Sequence, residues 1–334
     1  MKKRFFQILE QLKQQIFKLG RGIKKIFDTW PKAFIGTVIL LVAAYYPVGA
    51  VLSEKIDRTA DYDFSYLPAE QSQAVEMAAC LVNREVNEHI WAANLPFFFP
   101  ASSLDNMPNF QTGMMKGLSD VVKAMSRQIQ CSDNEKAGQY MKEAAKLLSY
   151  PGNVWLFAPD NKLKTAPSSS SQYRKARKKL KDVNQALKDE KCFWVRSESG
   201  LSEINRIILR GLSKTVVRIE NEIREGGNGW TDSRADDVFY HSQGRIYAYM
   251  VVLKKLGRDY KQVLMAADLY PQWTAMLRAL QNGAELNPWI VVNGRLDGKM
   301  KANHLAGLGY YILKAENILM KINMNLNGEK ENAH

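Results

Sequence analysis

Residues 33–52 read AFIGTVILLVAAYYPVGAVL, and every other segment takes its place from this one. These twenty residues carry no charge, and at 1.5 Å per residue a helix of that length crosses the roughly 30 Å hydrocarbon core of a bilayer. Ten of them are Leu, Ile, Val or Phe, which favour insertion by about 3–6 kcal/mol in sum. Gly36, Pro47 and Gly49 weaken the segment but are tolerated in membrane helices. The chain therefore reads as a single-pass membrane protein.

Charge orients the span. Residues 1–33 hold nine Lys or Arg (Lys2, Lys3, Arg4, Lys13, Lys18, Arg21, Lys24, Lys25, Lys32) against Glu10 and Asp28, which supplies over half of the chain's net +13. The other flank is mixed (Glu54, Lys55, Asp57, Arg58). Basic flanks stay cytoplasmic, so the expected topology is N-terminus inside and the large C-terminal part in the periplasm. Val48-Gly49-Ala50 offers a small-residue cleavage site. However, a basic region of over thirty residues and an apolar run of nearly twenty exceed the signal-peptide pattern, and the reading is an uncleaved signal anchor.

Upstream, residues 1–32 form a basic amphipathic segment. Phe5, Ile8, Leu9, Leu12, Ile16 and Leu19 recur at helical steps among cations, a pattern suited to the headgroups of inner-membrane lipids. Downstream, 53–68 reads as a linker and 69–327 as one helical domain, with a Ser-rich break at 159–171 as a possible sub-boundary and a polar tail at 328–334. Helices are expected over about 69–93, 112–130 and 173–188. A further one, capped by Ser132 and Glu135, should end at Leu148. Apolar stripes mark others over 201–223, 239–256 and 259–282, with a kink at Pro271. Leu305, Leu308, Ile312, Ala315, Leu319, Ile322 and Leu326 step three and four residues at a time. That seam suits antiparallel helices within the chain, or a homodimer through Leu305, Leu308, Ile312, Leu319 and Ile322. With no run of alternating strand residues, the fold class is all-α: one N-terminal transmembrane helix followed by a multi-helix bundle.

Chemistry is sparsely signposted. Four dispersed histidines give no metal spacing, no phosphate-binding glycine loop or nucleophile elbow occurs, and neither metal nor cofactor is expected. Three widely spaced cysteines make neither a disulfide framework nor a metal knuckle. In an oxidising compartment Cys131 and Cys192 are the pair to bridge, with Cys80 a buried thiol inside a helix; the alternative is three free buried cysteines. Arg174, Lys175, Arg177, Lys178, Lys179 and Lys181 place six cations in eight positions. That helix is either a solvated face or a contact for an anionic surface. Nucleic acid is not expected outside the cytoplasm, and no stacking aromatics interleave the charges.

The unusual stretch is Asn94-Leu-Pro-Phe-Phe-Phe-Pro100 with Leu104-Asp-Asn-Met-Pro-Asn-Phe-Gln111. So much apolar surface in a proline-rich loop must be packed or offered to a partner. Phe97, Phe98, Phe99, Asp105, Asn106, Asn109 and Phe110 are accordingly the candidate contacts for another envelope protein. This run, set about forty residues beyond a single span, resembles a family of bacterial envelope proteins defined only as a domain of unknown function. The resemblance implies a bacterial inner-membrane protein and carries over no catalytic residues. Two alternatives stand beside a non-catalytic scaffold or assembly factor. One is a cell-wall glycan hydrolase, with Glu85, Glu88 and Asp105 as its paired carboxylates. The other is a helical domain that binds a lipid or small ligand.

Overall fold

The computed structural model describes residues 13–14, 17–18, 20–21, 24, 31–60, 67–132, 136–157, 165–226, 233–294 and 302–328. Most of the amphipathic face of residues 1–32, the Glu135 half of the capping box, the middle of 53–68 and nearly all of the tail lie outside the described residues. Helix α1 (Pro31–Ser53) contains the apolar run, and none of its most apolar window is buried in the protein. Beyond it the described chain is helical: α2 (Gln73–Asn83), α3 (Asn106–Met125), α4 (Ala137–Leu148), α5 (Ser169–Lys188), α6 (Glu198–Glu225), α7 (Ser233–Asp259), α8 (Lys261–Ala266), α9 (Tyr270–Ala284) and α10 (His304–Leu326).

Helix α7 is the axis of the domain. Phe239, Ile246, Tyr247, Ala248, Tyr249, Val252, Leu253 and Leu256 cover all of its faces and have no exposed surface. A helix apolar all round must be surrounded, and α2, α3, α6 and α9 pack around it. Its closest neighbour is α3. A Cβ on Gly113 would stand 1.9 Å from the carbonyl oxygen of His241, and one on Gly244 would stand 2.0 Å from that of Phe110. Backbone meets backbone at that crossing, so only glycine fits.

Helices α2, α4 and α5 complete the layer on one side of the α3–α7 pair, and α6, α9 and α10 the layer on the other. The seam of α10 closes within one chain. Leu305, Leu308, Ile312, Ala315, Leu319 and Ile322 are fully buried against α6 and α9, which leaves none of them free for a second copy.

Several boundaries differ from expectation for local reasons. The helix expected over 69–93 ends at Asn83 and widens into a π-turn, Arg84–Glu88, which buries Arg84, Glu85 and Val86 together. The helix expected from 112 begins at Asn106; Pro108 lies in its first turn, where a missing N–H leaves no bond unmade. At 259–282 the chain breaks at Asp268, whose φ is 53°, and restarts with Pro271 in the first turn of α9. Strands were not expected, yet β1 (Ile129–Cys131) pairs antiparallel with β2 (Cys192–Trp194). Three residues are too few to display alternation. The pairing sets Cys131 opposite Cys192, and a disulfide joins them.

Candidate functional site

The end of the domain from which α1 emerges collects most of the candidate residues. Residues 54–60, expected as part of a linker, run over the domain as a strap. Arg84 Nη1 lies 3.2 Å from Asp57 Oδ2, the Tyr247 hydroxyl donates to the Thr59 carbonyl at 3.0 Å, and Lys55 N–H points at Met107 Sδ at 3.4 Å. The domain is thus held close to the end of α1 rather than tethered at a distance.

Beside the strap sits the phenylalanine loop. A short 3-10 turn, Pro100–Ser103, packs directly on α1, with a Cβ on Gly49 falling 2.4 Å from Pro100 Cγ. The Tyr45 hydroxyl donates to the carbonyl of Phe98 at 3.2 Å and the Tyr46 hydroxyl to that of Phe97 at 3.0 Å. Phe97, Phe98 and Phe99 are exposed, Phe97 at 82 %. Trp155 meets Phe98 edge-on at 6.3 Å between ring centres and is itself exposed, as are Leu156 and Phe157. Asn94 Nδ2 and Trp91 Nε1 donate to the carbonyls of Val154 and Gly152 and so bind the two loops together.

The candidates therefore divide. Phe97, Phe98 and Phe99 are on the surface, whereas Phe110 is buried against Tyr247 with ring centres 5.6 Å apart; it belongs to the α3–α7 core. Asn106 opens α3, and Asp105 stands at its N-cap position without a side-chain capping bond. Asn109 Nδ2 donates to Asp237 Oδ1 at 2.6 Å. Asp105, Asp236 and Asp237 form a carboxylate cluster. Burial pushes Asp236 up to about 6, with the Asp105 and Asp237 charges adding to it, and Asp237 is raised for similar reasons.

Glu85, Glu88 and Asp105 are not one acid site. Glu85 is buried, with Oε1 2.8 Å from Arg84 Nε and Oε2 accepting from Gln111 Nε2 at 2.9 Å. Burial works against its charge, but His89, Arg84 and Gln111 together hold the carboxyl below the usual glutamate range. Glu88 is exposed and accepts from Asn83, and Asp105 belongs to the cluster on α7. An ionised glutamate tied to arginine has the wrong protonation state for a general acid.

The cationic helix divides too. Arg174 bonds Asn87 and the Val86 carbonyl, Lys179 pairs with Glu143 at 2.8 Å and stacks on Tyr140, and Lys181 pairs with Glu76. Arg177 is half-buried, and Lys175 and Lys178 are exposed.

Trp155–Phe157 were not singled out from sequence, and Tyr45 and Tyr46 read there as aromatic-belt residues rather than as donors to a loop. Three consecutive large apolar residues between Pro151-Gly152 and Pro159, and two hydroxyls inside an otherwise apolar span, are the signals that mark them.

Fold and site together define a helical bundle docked on a single apolar N-terminal helix that is long enough to cross a membrane. Residues 214–327, from the middle of α6 to the end of α10, match a family described as an uncharacterized protein conserved in bacteria, DUF2333. The chain is thus similar to a bacterial family of unknown function, through its C-terminal helices rather than through the phenylalanine loop. No curated protein and no solved structure matches it.

Proposed function

We propose that this chain is a single-pass protein of the bacterial inner membrane, N-terminus in the cytoplasm, whose periplasmic helical domain serves as a non-catalytic scaffold or assembly factor. The observation that carries the reading is the docking of the Phe97–Ser103 segment on α1 and of the 54–60 strap on the domain, which holds a large helical surface close to the end of the span. The basic N-terminal flank supports the orientation, and the Cys131–Cys192 bridge supports an oxidising compartment. Lys175 and Lys178 remain exposed for an anionic surface.

The glycan-hydrolase alternative draws no support from carboxylates divided between an ion pair, an exposed turn and the α7 cluster. Clefts of about 310 and 470 Å³ on the domain are lined by charged residues such as Arg196, Arg258, Arg218 and Glu222, a lining suited to polar solutes rather than acyl chains.

Two measurements on the full chain in cells test the proposal. A C-terminal reporter active only in the periplasm should be active; an inactive one overturns the topology. Photo-reactive residues at Lys178 and at the exposed Leu313 of α10 should capture a discrete protein partner. Adducts confined to the chain itself would count against a scaffold.

A further inference from the structure

The loop that docks on α1 does so at a telling height. Tyr45 and Tyr46 lie seven and six residues before the end of the apolar run at Leu52, about 10 Å along the helix axis. If the bilayer stopped where the loop touches, only residues 33–44 would remain within it, about 18 Å of helix against a 30 Å core. On the reading of α1 as an uncleaved span, the loop must therefore sit inside the thickness of the leaflet it faces.

The carbonyls of the loop are prepared for that environment. Every carbonyl from Pro96 to Ala101 accepts a hydrogen bond. Pro96 accepts from Phe99 N–H, Phe97 from the Tyr46 and Ser102 hydroxyls, and Phe98 from the Tyr45 hydroxyl. Phe99 accepts from Ser102, Pro100 from the Ser103 hydroxyl, and Ala101 from Leu104 N–H. Pro96 and Pro100 carry no N–H to satisfy. In hydrocarbon each unpaired group costs several kcal/mol, and these bonds spare the six carbonyls that cost.

Large apolar side chains are exposed on neighbouring loops at this end. Beside Phe97–Phe99 stand Trp155, Leu156 and Phe157. A third tip comes from the chain after α9. Arg58 of the strap donates to Gln243 Oε1 at 3.1 Å, and Gln243 Nε2 donates to the Leu286 carbonyl at 2.5 Å. Three residues later Trp289 is exposed in full, with Ile290 beside it. At the other end of α3, twenty residues or about 30 Å away, the β1–β2 pair exposes Phe193.

We propose that the end of the domain around α1 is seated in the outer leaflet of the membrane, with Phe97, Phe98, Phe99, Trp155, Leu156 and Trp289 as its inserted side chains. The occupant of this surface is the bilayer itself. Trp155 and Trp289, with a polar edge and an apolar body, favour the interface, Phe and Leu favour the apolar side of it, and the surface is continuous with the span that anchors it.

The test places a photo-reactive amino acid, one position at a time, in the full chain reconstituted into bilayer nanodiscs of phosphatidylethanolamine and phosphatidylglycerol. Val42 within the span is the reference inside the membrane, and Phe193 is the exposed aromatic reference away from it. Lipid adducts at Phe98, Leu156 and Trp289 in yields like those at Val42, with their loss at Phe193, are the expected result. Lipid adducts at Val42 alone overturn the seating while leaving the span intact. Their absence at Val42 as well overturns both. All these positions are on the surface, so unchanged far-UV circular dichroism is expected for each variant and confirms that the adducts report the folded chain.

Discussion

The hydroxyl of Tyr46 donates to the carbonyl of Phe97 across 51 residues of sequence, at 3.0 Å, and Tyr45 repeats the bond one residue further along the loop. Each such bond is worth about 1 kcal/mol. The double variant Y45F/Y46F removes both hydroxyls and keeps the rings. Amide exchange in the Phe97–Leu104 segment should then accelerate about 5- to 30-fold, while the amides of α3 and α7 keep their wild-type protection. Hydrogen exchange read by mass spectrometry checks both halves of this expectation.

The α3–α7 crossing makes a sharper demand. Gly244→Ala drives a methyl group to 2.0 Å from the backbone oxygen of Phe110, and backbone cannot rotate away as a side chain can. The two helices must separate, and a cost of about 3 kcal/mol or more is expected. Gly307, in the first turns of α10, has nothing within 4 Å of its absent Cβ, so Gly307→Ala should instead stabilise by about 0.5–1 kcal/mol. Urea unfolding of the pair measures opposite signs from the same substitution.

Glu85 separates a structural role from a catalytic one. Glu85→Gln removes the negative charge 2.8 Å from the buried Arg84 guanidinium, although Asp57 remains at 3.2 Å; a loss of about 3 kcal/mol is expected. Because Glu85 is held below its usual pKa, its stabilisation is complete above about pH 4.5 and is lost as pH falls through the folded value. The gap between wild type and variant should therefore be constant at neutral pH and narrow in acid. Denaturant unfolding at pH 7 and pH 3.5 reads it.

What the sequence disclosed follows from the range of the interactions involved. The seam from Leu305 to Leu326 and the apolar faces of α6 and α7 are local periodicities, and these three helices stand where they were expected. The π-turn at Arg84 was not legible, because it is set by Asp57, Tyr247 and Gln111, which come from three other segments. For the same reason Glu85 read as one of a set of paired carboxylates with Glu88 and Asp105. The phenylalanine loop was recognisable as abnormal from composition alone. That it divides into exposed Phe97–Phe99 and buried Phe110 depends on α1 and α7 arriving at its two ends, which no short window of sequence contains.

The Cys131–Cys192 bridge closes a loop of 61 residues. Constraint of the unfolded chain by a loop of that length contributes about 4 kcal/mol. Reductant should lower the stability of the wild type by about this amount and leave C131S/C192S unchanged. Cys80 does not disturb the comparison, since burial and the neighbouring Glu76 push its thiol up to about 11 and keep it protonated.

Asp236 carries the opposite pH dependence from Glu85. Burial, then Asp105 and Asp237, push its carboxyl up from 3.8 to about 6, while Arg218 faces Asp237 and Arg58 faces Tyr240 on the same surface. The folded state thus holds a proton that the unfolded state releases. Below about pH 4 both states are protonated and Asp236 contributes nothing. Between about pH 4 and 6 stability falls as pH rises, and above 6 the penalty is complete. Allowing for solvent screening of a half-buried group, that penalty is about 1–2 kcal/mol. Asp236→Asn, which cannot ionise, should be more stable than wild type by this amount at pH 7.5 and equal to it at pH 4, with a flatter profile between. Melting temperatures across that range decide the matter: a gain independent of pH would assign the effect to packing rather than to the charge.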